Sequence, residues 1–355
     1  MRIALDATPL TQTPGGVSRY TAELSTALAR CFPDDEIWLL SDQPFEKPRC
    51  LAPNLKAGPG PANVLERRWW LWGLQSQLGR YRIDVFHGAD FAVPYVPVRP
   101  SVLSLHDLSP WLEPKWHRAA KRVRSRTPKL LRTGLATLVL TPSEAIRREA
   151  ISRFRLDPGR VAAVPHAASP LFRPGRPRRL ASPYFLYVGA LEPRKNLPLL
   201  IDAWRQVRER RQVDLVLIGR RREDCPEIPA LPGLHLAGSV PDEELPAWYS
   251  GCLASVYPSL YEGFGLPLLE AMQCGAAVVT SKDSAIMETC GGAAIHIDAH
   301  DVSGWSQALA DLIENPERVQ DLRARSLRRA REFSWEKTAQ QTREVYLEAV
   351  RRFRA

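Results

Sequence analysis

Short apolar runs bounded by turn residues alternate along the chain with longer segments whose apolar positions recur at helical spacing. Arg2–Thr8 (RIALDAT) reads as a buried strand, followed by a turn at Pro14-Gly15-Gly16 and a helix through Arg30. Ile37–Ser41, Asp84–His87, Ser101–His106 and Thr137–Leu140 read as further strands. Ser143 is placed to cap the helix Glu144–Phe154, its hydroxyl accepting from exposed amides of the first turn. Strand, helix, strand at this spacing predicts a parallel sheet with right-handed crossovers.

The periodicity breaks over 168–183 (ASPLFRPGRPRRLASP), rich in Pro and Arg, which places an inter-domain linker at 171–183. Alternation then restarts. Tyr184–Val188, Asp214–Ile218 and Leu234–Ala237 read as strands, Leu197–Glu209 and Pro241–Tyr249 as helices, and Leu253–Tyr257, Pro267–Gln273, Ala276–Thr280 and Ala294–Ile297 continue the series. From Val302 onward the pattern is helical, with breaks near Asn315-Pro316 and Phe333-Ser334-Trp335. The expected fold is α/β: two doubly wound, Rossmann-like domains, 1–170 and 184–335, facing a cleft. A C-terminal helix, 336–355, is expected to cross back to the first domain. Open α/β sheets bind ligands at the carboxyl ends of their strands.

Composition narrows the class. The 355 residues are 45% hydrophobic and 25% charged, which excludes a disordered or fibrous chain. The net charge of +10 is unevenly spread: residues 1–180 hold 28 Lys/Arg against 15 Asp/Glu, so the whole excess lies in that half. Nucleic acid, an anionic membrane surface and phosphorylated small molecules are all partners such a charge can serve. The six cysteines are scattered with no C-x-x-C, as expected of reduced thiols. No apolar run approaches a membrane span and the N-terminus lacks a signal-peptide core, so a cytoplasmic location is expected.

Two segments carry candidate chemistry. In Tyr261-Glu262-Gly263-Phe264-Gly265-Leu266-Pro267-Leu268-Leu269-Glu270, Pro267 suits the first turn of a helix, and Gly263 and Gly265 let loop amides approach a ligand. Glu262 and Glu270 can hold two ends of an elongated polyhydroxylated ligand. They serve equally as a dipole-favoured Glu and a solvated one on the same helix. In Val188-Gly189-Ala190-Leu191-Glu192-Pro193-Arg194-Lys195-Asn196-Leu197, two cations follow a strand and Asn196 is placed to cap the next helix. A basic turn there is often mere surface, but its position at a strand's carboxyl end favours a diphosphate.

Together, VGALEPRKN and the E-x7-E within EGFGLPLLEAMQCGAAVVTS resemble the retaining glycosyltransferases of group 1, which have the GT-B fold. The resemblance spans Tyr184–Asp298. It is joined by Thr13-Pro14-Gly15-Gly16-Val17-Ser18-Arg19-Tyr20, Leu105-His106-Asp107 and Thr141-Pro142-Ser143-Glu144. It implies a nucleotide-sugar donor held mainly by the C-terminal domain. Arg194 and Lys195 would neutralise the diphosphate beside Gly189, Glu270 would bond the ribose, and Glu262 would lie at the sugar with amides of Gly263, Phe264, Gly265 and Leu266. Gly238 and Val240 would border the base, Gly15 and Gly16 would let the N-terminal domain close on the diphosphate, and His106 would contact the donor sugar.

The resemblance implies transfer with retention, and no nucleophile and acid/base pair can be assigned on spacing. Front-side displacement fits, with catalysis by positioning and electrostatics from Arg194, Lys195, Glu262 and His106, the last as sugar contact more than base. No D-x-D is present, so metal independence is expected, and no cofactor. A GDP-sugar, GDP-mannose first, is the leading donor, on the resemblance of ALDATPL…PGGVSRYTAEL to bacterial mannosyl- and related transferases; a UDP-sugar is second. The segments around Arg67, Arg68, Trp69 and around Trp116, Lys121, Arg122, Arg124, Arg126 have the composition of a headgroup interface. They point to peripheral attachment at the inner face of the cytoplasmic membrane and to a lipid-linked saccharide or lipopolysaccharide acceptor. A nucleotide-sugar epimerase and, more distantly, a nucleic-acid binder are the alternatives.

Overall fold

Short, largely apolar runs such as RIALD, YFLYV and DLVLI suit strands shielded on both faces inside a parallel sheet. The computed structural model describes residues 1–11 and 15–354, the side chains of residues 118 and 119 excepted. Thr13 and Pro14 of the expected glycine loop lie outside the described residues. The chain divides into two units, Met1–His166 with Ser334–Ala355, and Ala167–Phe333.

Among the described residues of the first unit, β1 (Arg2–Asp6), β2 (Glu36–Leu40), β3 (Leu55–Ala57), β4 (Val85–Gly88), β5 (Ser101–Ser104), β6 (Leu138–Thr141) and β7 (Val161–Ala163) form one parallel sheet. Its order is β3-β2-β1-β4-β5-β6-β7. Ile3 lies opposite both Ile37 and Val85, so β1 is central. The chain fills one side of β1 and then crosses to β4, which makes the β1/β4 boundary a switch point where strand ends splay apart. Gly15 precedes the helix Gly16–Cys31, and Ser143 caps Glu144–Phe154 by accepting from the Ile146 amide at 3.2 Å. The helix Trp335–Arg354 belongs to this unit: Tyr346 meets His87, and Arg343 is ion-paired to buried Asp35 at 2.6 Å.

The second unit repeats the plan. Here β8 (Tyr184–Val188), β9 (Asp214–Ile218), β10 (Leu234–Gly238), β11 (Ala254–Tyr257), β12 (Val278–Ser281) and β13 (Ile295–Ile297) run parallel in the order β10-β9-β8-β11-β12-β13. The switch point falls between β8 and β11. The stretch expected as a linker, 171–183, is instead fastened to this unit. Phe172 is buried in its core, Gln273 donates to Ser169 and Phe172 carbonyls, and the Arg178 guanidinium lies 4.2 Å from the Trp248 ring centre. Apolar anchors hold the segment although its composition reads as loop. The helix expected at Pro241–Tyr249 begins at Leu245 and ends at Gly251.

Candidate functional site

Both motif segments emerge at the β8/β11 switch point, where ligands of open α/β sheets sit. Arg194 and Lys195 lie in a short turn after β8, and Glu262 in the loop after β11. Their side chains form a chain of alternating charge. Arg222 contacts Glu192 at 2.6 Å, Glu192 contacts Arg194 at 2.9 Å, Arg194 contacts Glu262 at 3.2 Å, and Glu262 contacts Lys195 at 2.5 Å. Arg194 also donates to the Tyr261 carbonyl and Lys195 to the Tyr257 hydroxyl, both at 2.7 Å. All but Arg222 are buried, so each charge is compensated inside the protein. Burial would raise the Glu262 carboxyl, but Lys195 and Arg194 outweigh it and hold it at about 2. Burial and the Arg194 charge pull the Lys195 ammonium down, against the two carboxylates.

Close backbone approach builds this centre. At Gly219 a Cβ would stand 1.9 Å from the Gly189 carbonyl oxygen, and φ is +146°, so the β8 and β9 loops can touch only through glycine. That contact brings Arg222 beside Leu191, two residues before the turn. Gly265, at φ +89°, opens the helix Leu266–Gln273, with Pro267 in its first turn. Gly263 and Phe264 are buried and Leu266 half-buried beside it. Glu270 is fully buried on that helix rather than solvated. Asp283 accepts from the Glu262 amide at 3.4 Å, and burial with the Glu262 charge raises its carboxyl to about 6. Asn196 does not cap with its side chain: it sits at φ +55° and donates to the Ala299 carbonyl. Gly238 ends edge strand β10 at φ +67°, and Val240 follows it half-buried.

The first unit gathers His87, His106 and His166 around Tyr20. His106 donates from Nε2 to the Ala89 carbonyl at 2.7 Å. A carbonyl can only accept, so that nitrogen carries a proton. The Tyr20 ring stands edge-on to His106 with centroids 4.9 Å apart, and Tyr20 and His87 both bond the Ser104 hydroxyl, at 2.9 and 2.8 Å. His87 reaches the Tyr346 hydroxyl at 2.6 Å, and burial lowers its pKa to about 3, so it is neutral. Asp6 accepts from the Thr8 amide and hydroxyl, and burial raises its carboxyl to about 7.

Compared with known proteins, the chain is 30% identical to the O-antigen chain mannosyltransferase B of Escherichia coli, over 98% of this chain and 99% of that one. The chain belongs to the group-1 glycosyltransferases. Two family models tile it, "Glycosyltransferase Family 4" over residues 14–170 and "Glycosyl transferases group 1" over 170–331. It is 31% identical to an MMP α-(1→4)-mannosyltransferase of Mycolicibacterium hassiacum over 66% of this chain and 57% of the other. Among solved structures, sucrose-phosphate synthase of Thermosynechococcus elongatus superposes with a TM-score of 0.74 over 98% of both chains at 19% identity. These findings establish a GT-B glycosyltransferase related to mannosyltransferases of glycan assembly.

On this glycosyltransferase the basic Trp-rich segments are only partly surface. Trp69, expected at a headgroup interface, is 3% exposed and packs with Ala4, Leu40 and Phe86, since an indole gains more in the core than at the surface. Trp72 is the exposed member, at 59%. Arg67, Arg68, Lys121, Arg122 and Arg126 are exposed, Trp116 is half-buried, and Arg124 donates to the His117 carbonyl. Among the described residues no helix is long and apolar enough to cross a membrane. Sequence reasoning assigned no role to Glu192, Arg222, Tyr257 or Asp283. Glu192 stood inside the quoted motif and Arg222 ends the run Arg220-Arg221-Arg222, but no spacing rule joins them.

Proposed function

We propose that this glycosyltransferase moves a hexose, mannose or a related sugar, from a nucleoside-diphosphate donor to a lipid-linked or polysaccharide acceptor in cell-surface glycan assembly, with retention. The observation that carries it is the buried alternating charge chain at the β8/β11 switch point. A donor diphosphate entering there competes with Glu262 and Glu192 for Arg194 and Lys195, and those cations stabilise the charge that develops as the sugar–phosphate bond breaks. The leaving diphosphate removes the acceptor hydroxyl's proton. Glu270 takes the ribose, Gly238 and Val240 border the base, and amides at the start of Leu266–Gln273 meet the sugar hydroxyls. A Cβ on Gly16 would meet no atom of the described residues within 4 Å.

On this reading the reaction needs neither metal nor cofactor. The mannosyltransferase relatives support a GDP-sugar first and a UDP-sugar second. A thermal-shift panel of GDP, UDP, ADP and their sugars tests it: ligand at 100 times its Kd adds about 2.7 kcal/mol of stability. No stabilisation by any nucleoside diphosphate would sink the proposal.

Membrane attachment is part of the reading. Val64, Leu65, Leu71, Trp72, Val96 and Val98 are exposed. Tyr95 ties their two segments together through the Trp70 carbonyl, and Arg126 bonds the Tyr95 hydroxyl. Exposed Arg68 beside the first segment and Arg126, with Lys121 and Arg122 on the same helix, suit an anionic leaflet, with about 1 kcal/mol per cation. Neutralising Lys121, Arg122 and Arg126 together should weaken flotation with anionic vesicles by about two orders of magnitude. Donor hydrolysis should stay intact, and unchanged flotation would refute the docking.

A further inference from the structure

Away from the histidines, the first unit carries a cavity of about 690 Å³ outside the carboxyl ends of β2 and β3. Two loops without helix wall it: Ser41–Phe45 after β2 and Gly58–Pro61 after β3, closed by Arg67. The walls are built to hold their shape. Pro44 and Pro61 fix their own φ, the Gly58 amide donates to the Leu39 carbonyl at 2.9 Å, and the Gln43 amide donates to Ser41 Oγ at 3.1 Å. Buried Glu66 accepts from the Ala62 amide and the Ser76 hydroxyl, pinning the turn that leads to Arg67.

The lining has one aromatic ring, Phe45, and four polar side chains, Ser41, Asp42, Gln43 and Arg67. Its single carboxylate and single guanidinium cancel, so the cavity offers no net charge to a phosphate or to an anionic headgroup. A carboxylate that accepts, an amide that does both and a guanidinium that donates suit a neutral ligand with many hydroxyls. The face of Phe45 suits the C–H side of a sugar ring. We infer that this cavity is a saccharide subsite, holding a part of the acceptor chain remote from the hydroxyl that reacts.

Placement along the sheet supports the assignment. All strands of this sheet run parallel, so the cavity and His106, which follows β5, lie on the same edge. From β2 to β5 there are three inter-strand steps, about 14 Å at about 4.8 Å each. That is the length of a short oligosaccharide and too far for one sugar to touch both places. The inference rests on the proposal that this unit takes a glycan acceptor, and it adds that the enzyme reads several residues of that glycan.

The test is saturation-transfer-difference NMR with mannose, linear α-mannotriose and maltotriose on wild-type protein, Phe45→Ala and Gly60→Phe. A Cβ at Gly60 meets no atom of the described residues within 4 Å, so that ring enters open space at the cavity wall. Wild type should bind a trisaccharide and show no signal with mannose. Each variant should weaken trisaccharide binding at least about tenfold while keeping the wild-type melting temperature. Trisaccharide binding untouched by both variants, or none by wild type, overturns the subsite. The GDP and UDP thermal shift, run on the same three proteins, reports on the donor reading separately: its loss everywhere sinks that reading and leaves the NMR result to judge the cavity.

Discussion

Lys195→Ala should lower turnover by about 10²–10³-fold, the loss typical of removing one preorganised donor from a developing oxyanion. Lys195 is buried, and its ammonium stands 2.5 Å from Glu262 and 2.7 Å from the Tyr257 hydroxyl. A charge so placed is worth most when new negative charge appears on the leaving diphosphate, and less in the ground state, where Glu262 already occupies it. Kinetics at saturating donor should therefore show the loss in kcat, with KM for the donor changed little. Glu270→Ala is the contrasting variant: it should raise donor KM with a small change in kcat. Wild-type kcat in Lys195→Ala would show that the leaving-group assignment is wrong.

Glu262→Gln should cost about 3–5 kcal/mol of unfolding free energy at neutral pH, because it leaves Arg194 and Lys195 sharing only Glu192 within a buried site. The effect carries its own pH signature. The folded Glu262 carboxyl lies at about 2 against an ordinary 4.5. A depressed folded pKa gives stability that is complete above 4.5 and lost as pH falls toward 2. Denaturant titrations of wild type and Glu262→Gln should thus differ widely at pH 7 and converge through that window. A gap that stays constant down to pH 2.5 would mean the ionised carboxylate is not what stabilises the centre. His87 acts in the same direction over a higher range. Its neutral folded form, with a pKa of about 3 against 6.5, costs stability as pH falls below 6.5.

Much of this was legible from residue pattern because parallel strands buried on both faces leave long apolar runs, and turns leave Gly and Pro. Eleven of the thirteen described strands and the Arg194-Lys195 and Glu262-Glu270 segments stand where the pattern put them; the three-residue strands β3 and β7 are too short to leave a run and were not foreseen. What pattern could not show is pairing across the chain. Glu192 meets Arg222 30 residues on, and His87 meets Tyr346 at a separation of 259 residues; neither partner has a local signature. Composition also misled where one residue outweighed its neighbours. Phe172 anchors a stretch of Pro and Arg that otherwise reads as free linker, and Trp69 sits in the core beside two arginines that do not.

The His87–Tyr346 and Asp35–Arg343 bonds have a consequence for biosynthesis. The first unit is assembled from the beginning and the far end of the chain, with the second unit, Ala167–Phe333, strung between them. On the ribosome, the second unit has all its strands once residue 333 has emerged. The first must wait, with His87 lacking Tyr346, Asp35 lacking Arg343 and the groove beside the helix Gly16–Cys31 open, until the closing helix Trp335–Arg354 has emerged. The two units thus finish in reverse order of synthesis, and the unit that begins first is completed last.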